Sequence, residues 1–90
     1  MLTPIRSGAF KRDLKRVEKR SKDMAKLRAL LLLLLNEAPL PESFKDHPLK
    51  GAWQGYRDVH IEPDWLLIYR VVGMELRLAR TGTHADLFGN

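Results

Sequence analysis

Apolar residues recur at helical spacing in the first part of the chain. Phe10, Leu14 and Val17 stand three or four positions apart with charged residues between them, which is the pattern of a helix that buries one face. Ser7 precedes this stripe and belongs to the residue types that cap helix N-termini. The pattern therefore predicts an amphipathic helix over residues 8–20.

A second helix is predicted to begin after Ser21 or Asp23, because apolar residues again recur at helical spacing. Its apolar stripe consists of Met24, Leu27, Leu30, Leu31 and Leu34. The run Leu30–Leu35 surrounds the helix with apolar side chains. We therefore expect burial on more than one side, between the first helix and a sheet, or one face left for a partner. Two prolines within residues 36–41 end the helix, because proline cannot continue it.

The pattern changes to strict alternation or to short apolar runs in the second half of the chain. These segments predict three strands, over residues 56–62, 65–72 and 75–81. Pro63 predicts a turn between the first two strands, and Gly73 predicts a hairpin between the last two. A short strand over residues 2–6 precedes the helices, and Pro4 favours a sheet edge for it. Residues 85–90 are predicted to form a short tail.

The order of these elements predicts one α+β domain over residues 1–90. A short N-terminal strand is followed by two helices and a three- to four-stranded antiparallel sheet, with the helices packed on one sheet face. Ninety residues are enough for a single core. The chain has no internal repeat and no linker long enough to divide it.

Composition excludes several classes of protein and of site. The chain has no cysteine, which rules out a disulfide framework, a thiolate nucleophile and a cysteine-type zinc site. The longest apolar run, Ala29–Leu35, is far shorter than the roughly 20 residues that span a bilayer. The N-terminus lacks the long apolar core of a signal peptide. We therefore expect a cytoplasmic protein that does not interact with membranes.

Charge is concentrated at the N-terminal end. Residues 1–28 carry ten Lys or Arg and three acidic residues, a net charge of +7, whereas residues 29–90 carry six basic and eight acidic residues, a net charge of −2. A segment this basic attracts polyanions such as nucleic acid. A solvated helix face is the alternative interpretation.

The residues that favour chemistry lie in the less basic part. His47, His60 and His84 occur there together with Asp64 and Arg80, and histidine exchanges protons near neutral pH. Each histidine alone favours a structural or solvated role, but strand ends in an antiparallel meander can bring the group to one sheet edge. The spacing of the histidines matches no compact metal-ligand pattern, so no metal or cofactor is expected.

This set of residues suits RNA cleavage. Attack of a ribose 2′-hydroxyl on the neighbouring phosphorus needs a base, an acid and a cation that stabilises the added negative charge. Arg80 suits the last role through its permanently charged guanidinium. Trp65 and Phe88 are suited to stacking on the bases of single-stranded RNA. Packing in or around the core is the alternative, and for Trp65 the two remain equally open.

Four short motifs carry a resemblance to a known family. KDHPL, GYRD, EPDW and RTGTH occur in this order between residues 45 and 84. In these motifs, and across residues 20–89, the chain resembles the YafQ-type toxins of the RelE superfamily. The resemblance implies a RelE-like fold and a bacterial type II toxin–antitoxin toxin. It also implies a ribosome-dependent endoribonuclease that cuts mRNA in the A site and inhibits translation. The functional positions that it implies are His47, His60, Asp64, Trp65, Arg80, His84 and Phe88.

Within the implied site we assign hypothetical roles. Arg80 stabilises the pentavalent phosphate, and His84 is the general acid. His60 together with Asp64 activates the 2′-hydroxyl, and His47 assists or positions the scissile phosphate. The two aromatic residues hold bases. The acid and base roles are interchangeable at this level, and the scheme needs no metal.

The resemblance also implies partners. The basic N-terminal face, with Lys11, Lys15 and Lys19, is expected to contact ribosomal RNA, while the histidine-rich edge faces the mRNA. A cognate antitoxin is expected to wrap the toxin and block its site, and the complex to bind operator DNA through the antitoxin. The leucine run of the second helix is more uniform than in the family. Adenine-rich codons are the implied target.

Two other classes of function compete with this interpretation. A ParE-type toxin shares the implied fold but is not a nuclease and lacks the acid–base set. A basic nucleic-acid-binding module fits the size and charge. Neither class needs the grouping of Asp64, Arg80 and His84 with His60, so both are disfavoured.

Overall fold

The computed structural model describes residues 1–89, which form five strands and three helices. In chain order these are β1 (Thr3–Arg6), α1 (Gly8–Lys19), α2 (Met24–Leu35), β2 (His47–Pro48), β3 (Arg57–Glu62), β4 (Trp65–Val72), β5 (Glu75–Gly82) and α3 (His84–Phe88). Two short 3-10 turns, Glu42–Phe44 and Gly51–Trp53, flank β2. The predicted α+β class and the order of strand, two helices and meander are confirmed.

The sheet has five strands in the order β1-β5-β4-β3-β2. The meander β2 to β5 is antiparallel, as predicted, but β1 pairs with β5 in parallel. The antiparallel part therefore has four strands, within the expected three to four, and the parallel β1 makes the sheet five-stranded and mixed. The two helices carry the chain away from β1, and the meander then returns β5 alongside it in the same direction. Both outer strands contain proline, Pro4 in β1 and Pro48 in β2.

Both long helices begin at the caps that the sequence indicated. Ser7 Oγ accepts a hydrogen bond from the Phe10 N–H (2.9 Å) and donates one to the Ala79 carbonyl in β5 (2.7 Å). Of the two candidate starts for α2, Asp23 is the N-cap, because its carboxylate accepts from the Ala25 N–H (3.1 Å). These side chains satisfy backbone N–H groups that have no partner within the helix.

The main core lies between one sheet face and the helices α1 and α2. Leu27, Leu30 and Leu34 of α2 are buried there with Phe10 and Val17 of α1. The leucine run is not equally buried all round, since Leu32 is 56% exposed while its neighbours are buried or half-buried. No helix within residues 1–89 is both long and apolar enough to cross a bilayer.

The opposite sheet face is also covered, which the sequence analysis did not predict. Leu66 and Ile68 of β4 point to this face and form a second small core with Leu87 of α3. The predicted tail over residues 85–90 is therefore wrong for residues 85–88, which belong to α3, and Asn90 lies outside the described residues. The expectation that the two predicted helices pack on one sheet face is confirmed, and α3 covers part of the other face.

Candidate active site

Four aromatic rings form a row along this second face of the sheet. The ring centroids of His47 and His60 are 6.2 Å apart, those of His60 and His84 are 5.8 Å apart, and those of His84 and Phe88 are 6.3 Å apart. The structure thus brings together three imidazoles that are far apart in the sequence. Phe88 is 38% exposed at the end of the row, so its ring is accessible to a ligand.

Strand register explains the first half of the row. β2 pairs with β3 so that His47 stands opposite Asp58. His60 follows Asp58 by two positions and therefore lies on the same sheet face. The third histidine, His84, is the first residue of α3, which directly follows β5. Because β5 and β3 lie on opposite sides of β4, His84 reaches the row from the β5 side.

A carboxylate holds His84 from the β3–β4 turn. Asp64 Oδ1 accepts a hydrogen bond from the His84 backbone N–H at 2.8 Å and also contacts its Nδ1 at 2.5 Å. The backbone hydrogen bond is the main reason why the pKa of Asp64 is lowered. With Nδ1 directed at Asp64, the Nε2 atom of His84 is left for a substrate. The expected pairing of Asp64 with His60 is therefore wrong.

Asp58, not Asp64, is the carboxylate that lies beside His47 and His60. This carboxylate is only 4% exposed. Its Oδ1 lies 3.2 Å from His47 Nδ1 and 3.9 Å from His60 Nδ1, without a hydrogen bond to either ring. Asp58 was not among the site residues predicted from the sequence. Its position two residues before His60 in an alternating segment was the available signal.

Arg80 makes a two-point ion pair with a buried carboxylate of α1. Its Nε donates to Asp13 Oδ2 (2.6 Å) and its Nη2 donates to Asp13 Oδ1 (3.1 Å). The Arg80 side chain is 24% exposed, whereas that of Asp13 is 2% exposed. The hydrogen bonds to Asp13 are the main reason why the pKa of Arg80 is raised further above its usual value.

Trp65 lies in the core, which corrects one of the two stacking predictions. It is 1% exposed, and its indole N–H donates to Thr81 Oγ1 at 3.0 Å. No face of the ring is free for a base in this structure. The alternative that was left open for Trp65, packing, is therefore the correct one, and only Phe88 keeps an accessible ring.

The short helix α3 is fixed at its N-terminus by a capping box and an ion pair. The Asp86 carboxylate accepts from the Thr83 N–H (3.0 Å), and Thr83 Oγ1 accepts from the Asp86 N–H (3.0 Å). Arg20, just after α1, donates to both carboxylate oxygens of Asp86 (2.6 and 3.1 Å). Gly82 leaves room for this contact, because a Cβ there would lie 2.8 Å from Asp86 Oδ2. These contacts determine where His84 stands.

The ion pair at Asp86 predicts a pH dependence of stability. The hydrogen bond from Arg20 is the main reason why the pKa of Asp86 lies well below its usual range. A lowered folded-state pKa adds stability above the unfolded value of about 3.9, and that stability is lost as pH falls below it. We expect the difference in unfolding free energy between the natural chain and Asp86→Asn to be constant from pH 8 to 5 and to shrink below pH 4. Urea unfolding at each pH measures it, and an unchanged difference at pH 2.5 would contradict the assignment.

Some lysines of the basic N-terminal part, residues 1–28, form ion pairs within the protein, and others lie exposed on one helix face. Lys22 and Lys26 bind the two carboxylate oxygens of Glu62 (3.1 and 2.9 Å), which ties the start of α2 to the β3–β4 turn. Lys11, Lys15 and Lys19 are exposed and follow one another at four-residue spacing on α1. Side chains four apart share a helix face. These three lysines therefore form a continuous positive face, which we call the basic face.

Comparison with known proteins decides the family. A family model described as "Bacterial toxin of type II toxin-antitoxin system, YafQ" matches residues 2–89. The chain belongs to this family. The mRNA interferase toxin YafQ of Escherichia coli K12 is 57% identical over 84 residues, which is 92% of this chain and 91% of that protein. The resemblance identified from the four motifs is thereby confirmed.

Solved structures of similar toxins share the fold. The toxin in a crystal structure of the E. coli DinJ-YafQ complex is 53% identical, with a TM-score of 0.91 over 99% of this chain and 100% of that one. A metal-bound toxin from Helicobacter pylori is 40% identical, with a TM-score of 0.91 over 98% of this chain and 100% of that one. Within residues 1–89 of this chain, no three His, Asp or Glu side chains are arranged to hold a metal ion. Membership of the YafQ family also argues against the ParE-type and binding-module alternatives.

Proposed function

We propose that this chain is a toxin that cleaves mRNA in the ribosomal A site as an endoribonuclease and so inhibits translation. The observation that carries the proposal is the row of three imidazoles, with Asp64 orienting His84 and Asp58 beside His47 and His60. The name of the E. coli relative, mRNA interferase, supports the same reaction class. The ribosome requirement rests on the resemblance and on the basic face.

The proposed reaction is transfer of phosphorus from the 5′-oxygen to the neighbouring 2′-oxygen. The 2′-oxygen forms a bond to phosphorus, and the bond to the 5′-oxygen breaks. One imidazole takes the 2′-hydroxyl proton and another gives a proton to the leaving oxygen, so a 2′,3′-cyclic phosphate and a 5′-hydroxyl result. We assign His84 as the acid and His60 as the base. Arg80 faces the charge on phosphorus.

The outer members of the row bind substrate in this proposal. His47 is held by the Lys45 carbonyl, 2.7 Å from its Nδ1, so its Nε2 is free to position the scissile phosphate. Phe88 stacks on a base next to the cut. Since Trp65 is buried, codon preference depends on Phe88 and on the sheet face around the row.

Primer extension on a defined mRNA, with and without translating ribosomes, tests the proposal. We expect cuts within codons, in frame, only when ribosomes are present, and products that end in a 2′,3′-cyclic phosphate or a 3′-phosphate. Intact message under all conditions would refute the nuclease. Cuts in free mRNA would keep the nuclease and refute its dependence on the ribosome.

Cleavage is expected to survive removal of divalent metal. Histidines and an arginine supply the acid, the base and the cation, so the scheme routes no step through a metal ion. The measurement adds EDTA to a minimal assay on a model RNA, or uses ribosomes supplied with only the magnesium that they need. Because a related H. pylori toxin has a metal-bound crystal structure, zinc and copper are added back separately. Activity that requires either metal would contradict the scheme.

We also propose a cognate antitoxin as the physiological inhibitor. The E. coli relative forms a complex with DinJ, and a family of type II toxins implies such a partner. In this proposal the antitoxin covers the row of imidazoles and carries the operator-binding activity of the complex. Both proteins would act in the cytoplasm, where the ribosomes are.

Neutralising the basic face is expected to weaken ribosome binding without slowing the chemistry. In the triple variant Lys11→Gln, Lys15→Gln, Lys19→Gln, the slope of log affinity against log salt should fall by about two to three, because each phosphate contact contributes about one. Cleavage at saturating ribosome concentration should be unchanged. Lys50→Gln, an exposed lysine outside α1, is the control. A triple variant that binds as tightly as the natural chain at every salt concentration would contradict this role.

A further inference from the structure

Arg80 is connected to the interior by three buried side chains. Asp13, Thr81 and Trp65 are each almost completely buried. Asp13 lies on α1, Thr81 follows Arg80 on β5, and Trp65 begins β4. None of the three points to solvent, so none of them can touch an RNA in this structure.

Asp13 binds both the guanidinium of Arg80 and the backbone of β5. Its Oδ2 accepts from Arg80 Nε (2.6 Å) and from the Thr81 backbone N–H (3.1 Å). Its Oδ1 accepts from Arg80 Nη2 (3.1 Å) and from Arg16 Nη1 (3.3 Å). Two parallel hydrogen bonds fix the plane of a guanidinium as well as its position.

Thr81 is held from the other side by Trp65. The Trp65 indole N–H donates to Thr81 Oγ1 (3.0 Å), and that hydroxyl donates onward to the Leu66 carbonyl (2.7 Å). A bulge lies just before these residues, because Tyr69 pairs with Leu78 while Ile68 pairs with Arg80. Bulges redirect side chains locally, and this one lies directly before Arg80 on β5.

We infer that Asp13, Thr81 and Trp65 form a positioning network that sets the orientation of Arg80 for catalysis. This inference rests on the proposed function. A free arginine side chain has many rotamers, and ordering it during the reaction would cost free energy. Here the Arg80 side chain is already ordered, since both oxygens of the buried Asp13 carboxylate accept hydrogen bonds from it. Trp65 therefore matters through Thr81 and Arg80 rather than by stacking on a base.

Two substitutions test the network by cleavage kinetics. Asp13→Asn keeps the shape but places an amide N–H₂ against donors of Arg80. Trp65→Phe removes the indole N–H together with part of the buried ring, so cooperative urea unfolding of each variant is checked before its kinetics are compared. We expect kcat to fall about 10²-fold for Asp13→Asn, since a small misplacement of a catalytic group has that effect. A smaller fall is expected for Trp65→Phe, and KM should be unchanged in both. Asp23→Asn, at a helix cap where asparagine serves equally well, is the matched control.

Combination with Arg80→Ala separates positioning from other roles. If Asp13 and Trp65 act through Arg80, either change should lower kcat less than about twofold further in that background, because residues that act as a unit are not additive. Losses that multiply fully would overturn the inference. So would a Trp65→Phe variant whose KM and base preference change while kcat does not, which is the signature of stacking.

An NMR measurement makes the test independent of activity. The Arg80 Nε–H signal, assigned by its loss in Arg80→Lys, should exchange slowly with solvent in the natural chain and at least about tenfold faster in Asp13→Asn. If the natural chain cuts no mRNA, the proposed function fails but this readout still decides whether the network orders Arg80. Fast exchange in the natural chain, or equal exchange in Asp13→Asn with its fold intact, would overturn the inference.

Discussion

Replacing Arg80 with alanine is expected to lower the rate of mRNA cleavage by about 10²–10³-fold, the usual loss when one preorganised group that stabilises transition-state charge is removed. The fall should appear in kcat, since in the proposed reaction the guanidinium stabilises charge that develops only in the transition state. Arg77→Ala is the matched control, because Arg77 lies on the same strand but is exposed and pairs with Glu75 (Nε to Oε1 3.0 Å). Single-turnover cleavage on programmed ribosomes measures both.

Folding has to be separated from chemistry in this test, because Arg80→Ala leaves the Asp13 carboxylate buried without its main partner. Arg80→Lys keeps the positive charge but loses the planar fork that makes both hydrogen bonds. We expect it to fold and still to lose most of the activity. If Arg80→Ala unfolds as cooperatively as the natural chain and cleaves at a similar rate, Arg80 has no role in catalysis.

Gly82→Ala is expected to affect both stability and activity, because the position has no room for a side chain. The added Cβ would lie 2.8 Å from Asp86 Oδ2 and 2.9 Å from Asp86 Cβ. Relief of such a clash typically costs about 1–3 kcal/mol. The element that can move is α3, so His84 and Phe88 would move with it, and we expect a fall in kcat of about tenfold or more.

Gly8→Ala provides the comparison for this prediction. Gly8 begins α1, and a Cβ there would lie 3.5 Å from Arg12 Nη1, an ordinary contact distance. It should leave cleavage unchanged and stability equal or slightly higher. Urea unfolding and the cleavage assay are run on both variants. If Gly82→Ala matches Gly8→Ala in both measurements, α3 does not depend on the close approach of Gly82 and Asp86.

The larger elements could be predicted because their apolar pattern and their packing agree. The stripe of Phe10, Leu14 and Val17 corresponds to α1, and alternation about Val59 and Ile61 corresponds to β3. Such spacings of apolar residues indicate which side of a helix or strand is buried. They do not state what an element pairs with across the sheet, so the parallel pairing of β1 and β5 could not be read from them.

Helix α3 was not predicted because it is too short to show a hydrophobic pattern. Five residues contain little more than one helical turn, so no periodicity develops. The signal that was present is local, since Thr83 and Asp86 have the spacing of a capping box. An acidic residue three positions after a threonine indicates a helix start even when the helix is short.

The sequence named the three histidines and Asp64 of the candidate site, but it missed Asp58, placed the buried Trp65 there, and did not give the pairings. The motifs pointed to His60, Asp64 and His84, yet which carboxylate serves which histidine depends on distances between separate elements. Asp13 was missed although it stands on the apolar stripe, three positions after Phe10 and four before Val17. A charged residue on a buried stripe needs a partner inside the protein, and here that partner is Arg80.

The two proline-bearing outer strands have a consequence for contacts between copies of the chain. Open strand edges attract other strands and so promote aggregation. In β1 all four residues are exposed, but Pro4 has no N–H to donate, and β2 at the opposite edge is two residues long and includes Pro48. Neither edge therefore offers an uninterrupted ladder of donors and acceptors, and the five-stranded sheet resists lengthening by edge-to-edge association.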